Sequence, residues 1–236
     1  PLALAIVLLP PATLAATDNN NDTLQAPALV ITSGRKAEPK AQATAATSVF
    51  TRKDIERLQV RNVDELLTRV PGVSVTRNGG PGSLTGVFMR GTSSAQSLVL
   101  VDGQRIAAAS SGTSSLEFLS IDQIERIEVV RGSRSSLYGS DAIGGVIQIF
   151  TRRGGEPGLR PQLHVGFGSN QTWERSLGLS GGDEQTRFNL GASLDETAGI
   201  NRTHQSYPSD GDHDAYRNKS LSLSLSHALS DDIEIG

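Results

Sequence analysis

The sequence predicts two unlike parts, an α+β unit over residues 47–153 and a run of antiparallel strands over residues 154–236. Three observations carry this prediction. Short helical signatures in the first part alternate with near-continuous apolar runs such as "SLVLVDG" and "GGVIQIF", the pattern of strands covered on both faces. After Thr151 the spacing of apolar residues switches to strict period 2, the signature of strands with one apolar face. Aromatic residues make up only 4% of 236 residues while glycine contributes 25, which is lean for a compact soluble core.

The chain opens on "PLALAIVLLPPATLAATDNNND". Leu2–Leu9 is a short apolar run that ends in a prolyl pair and small residues, the grammar of a secretory signal cut near Ala15 or Ala16. Eight residues are too few to span a bilayer as a helix. The run lacks an initiating methionine and a basic flank, and the chain stops within an alternating stretch, so both true ends are expected to lie beyond it. Residues 1–16 are therefore a signal remnant. Residues 17–46 are polar and Ala/Pro-rich, a flexible segment with one apolar island, "ALVITS". That island reads either as an edge strand of the next domain or as a strand offered to a partner by β-augmentation.

Within residues 47–153, "TSVFT" is a strand. Thr51 and Asp54 make a capping pattern for a helix through Leu58. Asn62 caps a second helix whose Val63, Leu66, Leu67 and Val70 follow i, i+3, i+4, i+7, and Pro71-Gly72 stops it. "VSVT", "GVFMRG", "SLVLVDG", "RIEVVRG" and "GGVIQIF" are strands, and short helices are expected at 120–124 and 133–137. In the second part Leu163, Val165 and Phe167 share a face, as do Phe188, Leu190, Ala192 and Leu194, then Leu221, Leu223 and Leu225. Tight turns are expected at 181–183 and 230–232, with a long polar loop at 196–216. Such strands belong to a soluble sandwich or to a membrane barrel. Short turns at one end and a long loop at the other, with Trp173 and Tyr216 near strand ends, suit the barrel.

Composition excludes several classes of function. The net charge is −3, with 12 acidic and 8 basic residues from Thr151 onward, so no sequence-wide basic field points to nucleic acid. The absence of cysteine removes disulfides and thiol chemistry. "GLSGG" at 178–182 fits a nucleophile motif in the wrong setting, a hairpin, and the four histidines lack zinc spacing.

"NVDELLTRVPGVSV", "FMRG", "LVLVDGQRI", "IERIEVVRG" and "LYGSDAIGGVIQIFTRR" occur in this order. Together they resemble the plug domain of TonB-dependent outer-membrane receptors. The resemblance implies a fold of an α+β plug followed by the first antiparallel strands of a truncated transmembrane β-barrel, in a family whose barrels have roughly 22 strands. It implies transport rather than catalysis, a bacterial outer-membrane location in contact with its lipids, and TonB as energy-transducing partner. Within the family, "ALVITSGR", "NGGPGSLTGVFMRGT" and "YGSDAIGGV" are similar to cobalamin receptors, which makes cobalamin the expected ligand. On that likeness Ser83, Leu84 and Thr85, with Ser110, Ser111 and Gly112, are the ligand-binding loop tips. Leu29, Val30, Ile31, Thr32 and Ser33 are the strand that couples to TonB. Asp210, Asp212 and Asp214 alternate in the long loop and are either Ca²⁺ ligands or a solvated acidic tip. Arg90 and Arg131 are expected near the barrel wall, paired with its carboxylates or simply solvated. A ferric siderophore receptor of the same architecture is the alternative, and a secreted β-sandwich binding protein a more distant one.

Overall fold

The structure is a computed structural model that describes residues 29–108, 112–154, 158–183, 185–201, 213–230 and 233–236. The expected signal remnant lies outside the described residues. A two-residue strand pair comes first, β1 (Leu29–Val30) against β2 (Glu38–Pro39). Then come β3 (Ala46–Thr51), α1 (Arg52–Leu58), α2 (Val63–Leu67), β4 (Val73–Arg77), β5 (Thr85–Met89), β6 (Ser97–Val101) and β7 (Gln104–Arg105). β8 (Ile124–Arg131), α3 (Ser135–Tyr138) and β9 (Gly145–Thr151) complete the mixed domain.

Its main sheet runs β3-β8-β9-β6-β7, with β6 and β9 parallel and the other pairs antiparallel. β4 and β5 form a separate hairpin. The apolar runs are buried as their composition demands: Val99, Ile127, Val129, Ile147 and Ile149 pack into one core with Met89. The α2 stripe closes that core, since Val63, Leu66 and Leu67 have no exposure. Burying such side chains contributes about 1.5–3 kcal/mol each.

The caps are partly as expected. Thr51 and Asp54 form a reciprocal capping box on α1. Asn62 occupies the cap position of α2 with extended dihedrals, but its side chain caps nothing. The helix expected at 120–124 is a 3₁₀ turn, Ile121–Gln123, and a second such turn, Leu116–Phe118, precedes it. Glycine freedom is needed where β9 begins. A Cβ on Gly145 (φ +154°) would overlap the Val130 carbonyl across the sheet.

The second part is one antiparallel sheet of neighbours in sequence: β10 (Gly158–Gly168), β11 (Thr172–Gly182), β12 (Thr186–Thr197), β13 (Tyr216–Ser230) and β14 (Ile233–Ile235). β11 pairs through Gly182 and β12 begins at Thr186, so Gly181 and Gly182 of the expected turn belong to the strand. One face carries Leu163, Leu177, Leu221 and Leu223, each 63–76% exposed. Among the described residues no second sheet covers them, so the sandwich alternative does not form. No described helix is long and apolar enough to cross a membrane, which says nothing of crossing by strands. The opposite, polar face meets the mixed domain through Gln123 Nε2 to Ser220 Oγ at 2.8 Å and Tyr216 Oη to the Glu117 carbonyl at 3.3 Å.

Candidate functional site

The "ALVITS" island is docked rather than free. Val30 has no exposure, and Thr32 and Ser33 are buried. The backbone N–H groups of Ile31 and Thr32 each donate to Glu128 Oε2 at 2.9 Å. Glu128 lies on β8, wholly buried, with Arg126 Nη2 3.1 Å from its other oxygen. Tyr138, at the end of α3, donates its hydroxyl to the Thr32 carbonyl at 3.0 Å, and the Arg35 guanidinium stacks 4.7 Å over its ring. Burial pushes the Tyr138 phenol pKa up, against the pull of Arg35. The expectation of a flexible segment is thereby corrected for residues 29–33: buried β8 supplies the acceptor, and the chain folds onto it. The expectation for residues 17–28 lies outside the described residues.

Sequence reading missed Glu128. Its signal was a carboxylate inside "RIEVV", flanked by residues that are themselves buried, a placement that demands partners.

The first expected loop tip, Ser83–Thr85, stands at the end of the β4–β5 hairpin. Gly82 (φ +78°) lies so close to the Tyr216 ring that a Cβ would overlap it. Ser83 donates its hydroxyl to the Gly80 carbonyl at 2.7 Å, and Thr85 is buried with its hydroxyl on the Ser83 carbonyl at 3.2 Å. Leu84, 50% exposed, is the side chain this tip offers to solvent. Of the second tip, Ser110 and Ser111 lie outside the described residues. Gly112 closes a tight turn, its N–H on the Ala108 carbonyl at 2.8 Å. It precedes Glu117 and Phe118, whose carbonyls bond Tyr216 and Asn218 at the start of β13. The first tip, through Gly82, and the turn at Glu117–Phe118 thus reach the end of the sheet that bears the long connection between β12 and β13.

Asp210 and Asp212 also lie outside the described residues. Asp214 precedes β13, its N–H 3.4 Å from the Ile200 carbonyl. Among the described residues no three acidic or histidine side chains gather as a metal site. Arg131 turns inward within the mixed domain, bonding the Pro71 carbonyl at 2.7 Å and Ser48 Oγ at 3.2 Å. Arg90, in a left-handed conformation (φ 51°), points its guanidinium at Gly132.

Residues 39–146 match the TonB-dependent Receptor Plug Domain, a span that holds β3 to β8, α1 to α3 and the start of β9. Residues 39–146 are thus similar to the plug domain of TonB-dependent receptors. Solved receptors share both the plug and the strands that follow it. The ferric yersiniabactin uptake receptor FyuA from Yersinia pestis superposes with a TM-score of 0.63 at 22% identity, over 79% of this chain and 29% of its own. The siderophore receptor PirA from Pseudomonas aeruginosa gives 0.58 at 29% identity, over 81% of this chain and 34% of its own. The receptor in the FpvAI–pyocin S2 complex gives 0.71 at 20% identity, over 88% and 26%. The chain thus spans about a third or less of the length of these structures. The sheet β10–β14 resembles the start of a TonB-dependent receptor barrel, open at both edges here. TonB-dependent receptors are outer-membrane proteins, and the outer membrane is where this chain belongs.

Proposed function

We propose that this plug serves energy-coupled uptake of a ferric siderophore, with TonB as the driving partner. One observation carries the choice of cargo: the siderophore receptor PirA is 29% identical over 81% of this chain. The loop geometry supports it. The hairpin tip that bears Leu84 approaches the long-connection end of the sheet through Gly82, where a ligand arriving from outside would meet it. The segment Leu29–Ser33, of which Leu29–Val30 is strand, supports the TonB reading through its chemistry. Strand addition uses main-chain N–H and C=O groups, and in the docked state those of Ile31 and Thr32 are engaged by Glu128 and Tyr138. Docking and pairing with TonB therefore exclude one another at these groups.

Cobalamin is the second cargo, favoured by the likeness of "NGGPGSLTGVFMRGT" and "YGSDAIGGV" to cobalamin receptors. With it goes Ca²⁺ at Asp210, Asp212 and Asp214. The deciding experiment is a competition titration of the intact receptor with ferric enterobactin, ferric yersiniabactin and cyanocobalamin, each with calcium and with chelator. Saturable binding of a ferric siderophore, undisturbed by excess cyanocobalamin, is expected. Cyanocobalamin binding that strengthens with calcium and is indifferent to both siderophores would overturn the siderophore reading in favour of the other.

A further inference from the structure

The outward face of the strand sheet is sorted by height. Register places Leu163, Leu177, Ala192 and Leu221 in one row across β10–β13, and Pro161, Leu179, Leu190 and Leu223 in the next. No charge stands in either. Towards the end with the long connection the rows change character. Val165, Arg175, Leu194 and Lys219 form one, and Phe167, Trp173, Glu196 and Arg217 the last. Three cations and one anion therefore crowd two rows at the rim of an apolar band, a net charge of +2 on an outward surface.

These groups are held in place. Glu196 bridges the two arginines, with Arg217 Nε at 2.6 Å and Arg175 Nη1 at 3.5 Å. Arg175 also lies 5.2 Å over the Trp173 ring, which packs obliquely on Phe167. Both guanidinium groups keep outward exposure, 47% and 66%. Lys219 is exposed and has no acidic partner among the described residues. Strands lie about 4.8 Å apart, so Arg175 and Lys219, two strands apart in one row, span roughly 10 Å. Guanidinium forks bind phosphate oxygens two at a time, and an ammonium adds a point charge beside them. An aromatic pair at the same level is at home where acyl chains meet headgroups.

We propose that Arg175, Arg217 and Lys219, flanked by Trp173, form a binding site for a phosphorylated glycolipid headgroup of the outer leaflet. The end of the sheet fixes the leaflet, because long connections of such barrels face outward. The charge fixes the class, because a surplus of two cations at the edge of an apolar band complements a headgroup that carries more than one phosphate. The site rests on the outer-membrane location alone and is independent of the transported cargo.

The test is a titration of the intact receptor in detergent micelles with lipid A, against phosphatidylglycerol as the anionic comparison. The R175Q/K219Q variant removes the surplus charge while leaving the Arg217–Glu196 pair in place. From the attraction expected per cation at an anionic lipid surface, lipid A affinity should fall about 25-fold in this variant, and roughly five-fold in Lys219→Gln alone. Lys219→Gln touches no ion pair, so it remains a test should the double variant fail to assemble. Unchanged lipid A affinity in either folded variant overturns the proposal. So does equal affinity of the unaltered receptor for phosphatidylglycerol, which would reduce the site to a general attraction for anionic lipid.

Discussion

Glu128 shows what a single buried carboxylate can organise. A charge taken out of water costs several kcal/mol unless its oxygens are satisfied. Here two backbone N–H groups satisfy Oε2, Oε1 has the Arg126 charge 3.1 Å away but no hydrogen bond, and the segment at Ile31 and Thr32 is held as a consequence. Glu128→Ala would leave both N–H donors facing an apolar gap, at about 1–3 kcal/mol for each donor left unsatisfied. The strand should then undock, seen as faster amide hydrogen exchange at Ile31 and Thr32. Glu128→Gln, which keeps an acceptor, should exchange at intermediate rates, and equal protection in all three proteins would dismiss the role. A second residue-scale device sits at Asp54. The Thr51 hydroxyl first, then the Thr51 backbone N–H, hold its carboxyl pKa below the usual range. A pKa lowered by folding contributes stability above the unfolded carboxylate value near pH 4, and that contribution fades as pH falls through the folded value. The Thr51→Ala variant, destabilised by about 1 kcal/mol at neutral pH, should therefore approach the unaltered protein in thermal melts below about pH 4. The box was legible because its partners are three residues apart. The backbone donors to Glu128 lie 96 and 97 residues away, and no local pattern encodes that meeting.

At the scale of elements, strands were easiest to read where burial is one-sided or complete. β6 and β9 are apolar runs because both faces are covered, and β10–β13 alternate because one face is left exposed and the other meets the plug. β1 was harder, since two residues of pairing carry almost no periodicity. Its element-level test is Val30→Pro. Proline removes a donor and fixes φ, which opposes strand addition as well as the β1–β2 pair. Uptake of the cargo should be abolished while its binding to the loop tips persists, measured as labelled-ligand transport and binding on the same cells. Transport at the unaltered rate would sink the coupling assignment. The outward face has its own test. Leu223→Arg, in the uncharged rows, should cost about 2–4 kcal/mol of barrel stability in bilayers, the figure for a cation near the midplane. Leu194→Arg, one strand from both Arg175 and Lys219, should cost far less, because there it joins charges already present at the rim. Equal costs at the two heights would contradict the lipid-facing assignment.

For the molecule as a whole, the informative feature is the kind of contact between plug and wall. Gln123 to Ser220, Tyr216 to the Glu117 carbonyl, Asn218 to the Phe118 carbonyl and Arg61 to Glu174 are all polar. The apolar core lies inside the plug and none of it crosses to the sheet. Between the two lies a cavity of about 1160 Å³, lined by such residues as Arg52, Arg61, Glu174 and Asp195. Exchanging a protein hydrogen bond for one to water costs only about 0.5–1.5 kcal/mol, so a wall of this kind holds the plug in register yet lets it shift as a unit. A core-like apolar interface of the same extent would not. The absence of native cysteine from these 236 residues makes that contrast testable. Cysteines at Gln123 and Ser220, whose side chains meet at 2.8 Å, can be joined by a short bifunctional thiol reagent in the intact receptor. If the plug must move against the wall for cargo to pass, joining them abolishes uptake and leaves cargo affinity unchanged. A cleavable linker should then restore uptake on reduction. Uptake that continues at full rate through the joined pair would mean that this part of the plug stays fixed on the wall, and that passage opens by rearrangement elsewhere in the plug.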